Sequence, residues 1–205
     1  MKRNRIMNLE KIIERFVNTK INDDVVYNEF SLQHELGIFL RDELKKDTFR
    51  VDFERNVKFF SRNQDKLYLK KFVKKEMDIV LYKETPKNSE KYAIELKYPT
   101  NGAYPRRMFQ CIEDLKFMEQ VKDELCFTNT YCLTLISDSF EGKPFRHSSR
   151  NTSGDIYFHF RNKKEIRGKI VNPLNSEDSH NIKGPFTIEW SRIGNTDFWY
   201  YLLKI

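Results

Sequence analysis

Glu76-Met77-Asp78-Ile79-Val80-Leu81-Tyr82 and, after a polar turn, Tyr92-Ala93-Ile94-Glu95-Leu96-Lys97-Tyr98-Pro99 are the two runs on which the fold depends. Both are dense in branched and aromatic residues. Between them Thr85-Pro86-Lys87-Asn88-Ser89-Glu90 is a Pro/Asn/Ser cluster of the kind that closes a hairpin, so both runs are predicted strands. Side chains alternate across a strand, which sends Glu95 and Lys97 to one face and Leu96 to the other. An unpaired buried charge is prohibitively costly, so one Asp, one Glu and one Lys in otherwise apolar strands need partners. A divalent cation held by Asp78 and Glu95, with Lys97 beside it, satisfies all three.

An Asp on one strand followed by Glu-x-Lys on the next resembles the PD-(D/E)xK nuclease superfamily, which has the restriction-endonuclease-like fold. The resemblance implies that Asp78 and Glu95 hold Mg²⁺ (or Mn²⁺), with the Leu96 carbonyl as a third ligand. It also implies that Lys97 orients or deprotonates the attacking water. Met77 stands where the motif's name has a Pro, a position that varies widely in the superfamily. In that family the first core helix often carries a Glu that joins the metal shell, and the helix after Glu-x-Lys often carries a Gln facing the site.

A chain of 205 residues is long enough for a sizeable core, and one domain is the default. Its 39% hydrophobic and 14% aromatic content exclude global disorder, and a mean hydropathy of −0.71 with no long apolar run predicts a cytoplasmic protein without a membrane span. Cys111, Cys126 and Cys132 are odd in number and lack CxxC spacing, which points to neither disulfides nor zinc. His34, His147, His159 and His180 are scattered, and seven glycines form no phosphate loop, so zinc hydrolysis and NTPase chemistry have no support. A net charge of +7 and a pI near 9.2 favour an acidic partner, nucleic acid first.

Leu9, Ile12, Ile13, Phe16 and Val17 share a helical stripe, predicting a packing helix over about 8–18. A second helix is expected from Ser31, as cap, through Leu44, with Leu32, Leu36, Phe39 and Leu40 on its apolar side. Glu35 falls between Ile38 and Phe39 at the edge of that side. It matches the superfamily's helix Glu in order and facing, while a structural ion pair explains it as well. Residues 49–60 alternate as a half-exposed strand, and Lys66 to Lys75 reads as an extended, solvated basic run. Tyr104-Pro105-Arg106-Arg107 opens a helix to about Lys122. Gln110 resembles the family's site-facing Gln, and Asp114 lies within the buried arc, paired either with the site or with Arg107. Arg106 and Arg107, near the helix start, are placed to grip a phosphate. Phe127 to Ser137 is the next predicted strand.

The order helix, three strands, helix, strand over residues 30–137 is the core the resemblance implies: an α/β fold with a mixed central sheet flanked by helices. Residues 1–29 form an N-terminal helix and lead-in, and residues 138–205 a β-rich basic extension. Between 143 and 170 there are eight basic and two acidic residues, a net of +6, interleaved with Phe145, Tyr157, Phe158 and Phe160. Arg146, Arg150, Lys163 and Lys164 are therefore candidate DNA-backbone contacts, against the alternative of a solvated hairpin. A strand over 156–160, a loop over 171–184, and two closing strands or a strand and short helix in Phe186–Trp190 and Phe198–Leu203 complete the expectation. The functional expectation is a metal-dependent nuclease acting on DNA, with a homodimer open because duplex cleavage by this fold often uses paired sites. The alternatives are a non-catalytic nucleic-acid or protein-binding module on the same fold, or a basic α/β protein with a structural charge cluster.

Overall fold

In the computed structural model, β2 (Glu76–Thr85) and β3 (Asn88–Lys97) pair antiparallel from Thr85↔Asn88 to Ile79↔Ile94, forming the expected hairpin. The structure describes residues 7–22, 24–61, 66–85, 88–100, 104–138 and 160–205. β1 (Arg50–Asn56) pairs antiparallel with β2, while β4 (Asn129–Ser137) runs parallel to β3 after the crossover helix α4 (Tyr104–Leu125). The sheet is completed by β8 (Phe198–Lys204), antiparallel to β4, and by the two-residue β7 (Ser191–Arg192). The result is a six-stranded mixed sheet in the order β1-β2-β3-β4-β8-β7, flanked by helices.

Alternation builds two cores. Ile79, Leu81, Ile94, Leu96, Tyr131, Leu133 and Leu135 pack under α1 (Leu9–Lys20) and α2 (Glu29–Glu43). Val80, Tyr82, Ala93, Cys132 and Ile136 pack under α4. α1 buries Leu9, Ile13, Phe16 and Val17, a stripe at the helical period. α2 starts earlier than the sequence predicts. Asn28 is its cap, accepting from the Ser31 N–H at 2.8 Å, and Ser31 Oγ accepts in return from the Asn28 N–H at 3.0 Å. Ser31 is thus the third helical residue of a capping box rather than the cap.

Three further expectations change. The basic run contains a short helix, α3 (Lys66–Lys70), and buries Phe72. The supposed loop over 171–184 is mostly strand: β5 (Lys164–Asn172) and β6 (Asn175–Ile188) pair antiparallel as a separate two-stranded sheet laid on α4. Its polar residues mislead because one face is solvated, while Ile166, Ile170, Ile182 and Ile188 are buried. Glu119 on α4 anchors the hairpin, accepting from the Lys183 N–H at 2.7 Å. The C-terminal segment is also less separate from the core than expected, since β8 belongs to the central sheet. The strand expected over 156–160 falls almost wholly outside the described residues. Cys111, Cys126 and Cys132 are unpaired thiols. Among the described residues no helix is long and apolar enough to cross a membrane.

Gly37 lets α2 lie directly on β1, because a Cβ there overlaps the Phe53 ring. Gly37→Ala is expected to cost about 1–2 kcal/mol, overpacking exceeding the roughly 1 kcal/mol gained in helix propensity. A fall in the urea midpoint at unchanged m-value checks this; an unchanged or raised midpoint contradicts it.

Candidate active site

The β2–β3 ladder ends at Ile79↔Ile94, and there the sheet forks. β2 stays paired with β1 as far as Asn56↔Glu76, while β3 stays with β4 as far as Lys97↔Thr134. In the fork, carboxylates replace ladder carbonyls: the Asp78 N–H donates to Glu95 Oε1 at 3.2 Å, and the Leu96 N–H donates to Asp78 Oδ2 at 2.7 Å. Two acidic side chains inside the sheet are thereby held by backbone donors, and Asp78 keeps a partly exposed edge.

Asp114, from the middle of α4, closes the site from that side of the sheet. Its Oδ1 accepts from Lys74 Nζ at 3.0 Å, and its Oδ2 lies 3.4 Å from Lys97 Nζ. Lys74 Nζ also donates to Glu95 Oε2. From α2, Glu29 Oε1 pairs with Lys97 Nζ at 3.4 Å, and its Oε2 accepts from the Tyr98 N–H at 3.1 Å. Gln33 Nε2 donates to the Asp78 carbonyl at 2.8 Å and also to Glu54 Oε1. Asp78, Glu95, Lys97 and Asp114, all expected at the site, are thus brought together.

Glu35 is not. It lies on the outer side of α2 with His34, whose Nδ1 is 3.6 Å away, and its side chain is 38% exposed. At about 100° per residue Glu29, Gln33, Leu36 and Leu40 fall within roughly 60° of one another, while Glu35 stands roughly 120° off that face. Assigning Glu35 to the site depended on counting Ile38 as core, whereas Ile38 is 47% exposed. Glu29, not Glu35, is the α2 carboxylate that reaches the cluster, and the i,i+4 pair Glu29/Gln33 in register with Leu36 and Leu40 is the signal that marks it. Glu29→Gln is expected to lower the melting temperature by a few degrees, because the Lys97 ammonium and the Tyr98 N–H lose a charged acceptor, while Glu35→Gln leaves it unchanged. Equal effects from the two would return Glu35 to the site.

Gln110 is half-buried and accepts from Arg107 Nη1 at 3.1 Å, so the two α4 residues pair with each other. Arg106 is exposed. Lys163 is exposed and Lys164 half-buried at the start of β5, whereas Arg146 and Arg150 lie outside the described residues. Lys74 had no distinguishing signal in the sequence. It is one lysine in a basic run, and the pinned turn after α3 alone brings it to the carboxylates.

The electrostatics follow from burial and charge count. Burial, and then the neighbouring Asp78 charge, holds the Glu95 carboxyl well above the usual carboxylate range. Burial likewise lifts Asp78 to about 7, opposed by the Lys74 ammonium and the Leu96 N–H. Burial works against the Lys97 ammonium, but Asp114 and Glu29 outweigh it and hold that group above its ordinary value. Lys74 is raised in the same way by Asp114, Glu95 and Asp78 against its own burial. Fully ionised, four carboxylates (Glu29, Asp78, Glu95, Asp114) face two ammonium groups, leaving an excess of two negative charges.

Among the described residues no three carboxylate, imidazole or thiol side chains form a ready-made metal cage. Magnesium is nevertheless commonly bound through one or two carboxylates, with waters and substrate phosphates completing its shell. Asp78 and Glu95 fit that requirement in donor chemistry and in charge. Comparison with protein-family models, with curated proteins and with solved structures finds no match to this chain.

Proposed function

We propose that this chain is a metal-dependent nuclease that hydrolyses DNA phosphodiester bonds on a restriction-endonuclease-like core. The observation that carries the proposal is the convergence of Asp78, Glu95 and Lys97 around Asp114 at a fork in the sheet, where the fully ionised cluster has two more carboxylates than ammonium groups. The run α2, β1, β2, β3, α4, β4 has the element order of that fold, with α3 as an insertion. Asp78 and Glu95 would hold a divalent cation, Mg²⁺ or Mn²⁺, which when bound would supply positive charge to the scissile phosphate and lower the pKa of a water. Lys97 acts as an ammonium that holds the attacking water or a phosphate oxygen in line, rather than as a base, because Asp114 and Glu29 keep it protonated. Arg106 at the start of α4 and Lys163 and Lys164 on the hairpin supply positive charge for the backbone.

Supercoiled plasmid and labelled duplex, single-stranded and RNA oligonucleotides, incubated with Mg²⁺ or Mn²⁺, test this. Cleavage of DNA that a chelator and Asp78→Asn both abolish is the expected result. Intact substrates under all conditions would overturn it. One observation favours a second reading, a non-catalytic nucleic-acid or protein-binding module on the same fold: Lys74 already bridges Glu95 and Asp114. That reading expects DNA binding without cleavage and no effect of divalent ions on the melting temperature.

A further inference from the structure

Lys74 reaches the site by construction. The segment that carries it is pinned on both sides: Gln120 on α4 accepts from the Val73 N–H at 2.9 Å and donates to the Lys71 carbonyl at 2.8 Å, and the Lys75 carbonyl accepts from the Val57 N–H at 2.8 Å. The Lys74 ammonium lies 5.7 Å from the centre of the Phe117 ring and lands between Glu95 and Asp114. Both Glu95 oxygens are then occupied, Oε1 by the Asp78 N–H and Oε2 by Lys74, and both Asp114 oxygens face an ammonium. A divalent ion entering at Asp78 and Glu95 therefore meets a resident positive charge on the oxygen it needs. The Lys74 side chain is 31% exposed and Glu95 fully buried, so of the two partners Lys74 is the one that borders solvent.

Resting on the nuclease reading above, we infer that Lys74 is a built-in counter-ion that competes with the divalent metal for Glu95. It satisfies the buried carboxylates when no metal is bound and withdraws from Glu95 Oε2, keeping Asp114, when metal loads. The device lets the fork fold without metal, since buried carboxylates left unpaired destabilise the chain. It also sets the metal concentration at which the site fills.

The test is calorimetric titration with Mn²⁺, together with melting temperatures with and without Mn²⁺, on the full chain. Lys74→Met, which keeps the stem and removes the charge, is expected to bind Mn²⁺ at least about tenfold more tightly than wild type, because a like charge a few ångströms away opposes the ion. Its metal-free melting temperature is expected to fall, with Mn²⁺ restoring it. Lys74→Arg keeps a cation in place and is expected to stay within about threefold of wild type. Asp78-dependent Mn²⁺ binding by wild type, with Lys74→Met no tighter, overturns the inference while leaving the nuclease reading intact. No Mn²⁺ binding by wild type or Lys74→Met overturns both. If Lys74→Met does not fold without metal, ¹⁵N-lysine spectra of the wild type decide: Mg²⁺ at saturation must shift the Lys74 ammonium resonance, and an unmoved resonance refutes withdrawal.

Discussion

Lys97→Met is expected to lower DNA cleavage at saturating Mg²⁺ by about 10²- to 10³-fold, the usual cost of one lost donor to a developing oxyanion. DNA affinity, measured in Ca²⁺ to block turnover, is expected to stay within about twofold, because one charge among many adds little to backbone binding. The methionine keeps the buried stem, so the change isolates the ammonium. Some stability is lost as well: Asp114 Oδ2 and Glu29 lose a partner, though Lys74 still neutralises Asp114 and Glu29 is 44% exposed. A melt at the assay temperature therefore accompanies the kinetics. Cleavage within a few fold of wild type by a folded Lys97→Met protein would remove Lys97 from the mechanism.

Asp78→Asn is expected to move stability and activity in opposite directions. Under the proposed function, cleavage and the Mn²⁺-induced rise in melting temperature are both expected to be lost. The amide oxygen still accepts from the Leu96 N–H, yet the buried negative charge is gone. Asp78 titrates near 7 in the fold against an ordinary 3.8, so between those values the folded chain holds a proton that the unfolded chain has released. Its contribution to stability therefore falls as pH rises from about 4 to 7, by at most about 4 kcal/mol. Without metal, Asp78→Asn should melt close to wild type near pH 4 and roughly 5 °C above it at pH 8, corresponding to about 2 kcal/mol for a chain of this size. By the same linkage, the wild-type affinity for Mn²⁺ should climb with pH up to about 7. A gap between the two proteins that does not change with pH would mean that Asp78 is already ionised without metal.

The contrast between Glu35 and Glu29 shows where reading the chain alone stops. Strand alternation made the Asp78, Glu95 and Lys97 facing legible, because a period of two leaves only two choices and the apolar neighbours decide between them. Asp114 was legible because apolar residues of α4, Cys111, Ile112, Leu115 and Met118, flank it on the buried arc. On α2 the helical period leaves a continuum of bearings, and a single misjudged residue, Ile38, turned the inferred face by about a third of a turn. The Asn28 capping box extended the helix backward and brought in Glu29, which lay beyond the expected start.

Residue patterns by themselves determined the element types of the central region apart from α3, the α/β class, and the carboxylate and lysine side chains that share one face of the hairpin. Local periodicity and turn chemistry encode those, and they need no partner from elsewhere in the chain. Three things only the tertiary structure decided. The polar 171–184 tract became mostly strand because Ile182, together with Ile166, Ile170 and Ile188 of the same hairpin, found α4 to cover it. β8 entered the central sheet because β4 offered an unpaired edge. Lys74 became part of the site because Gln120 and Val57 pinned the turn that carries it. Each depends on contacts between segments distant along the chain. A lysine within a run of lysines carries no mark of which one will meet a buried carboxylate.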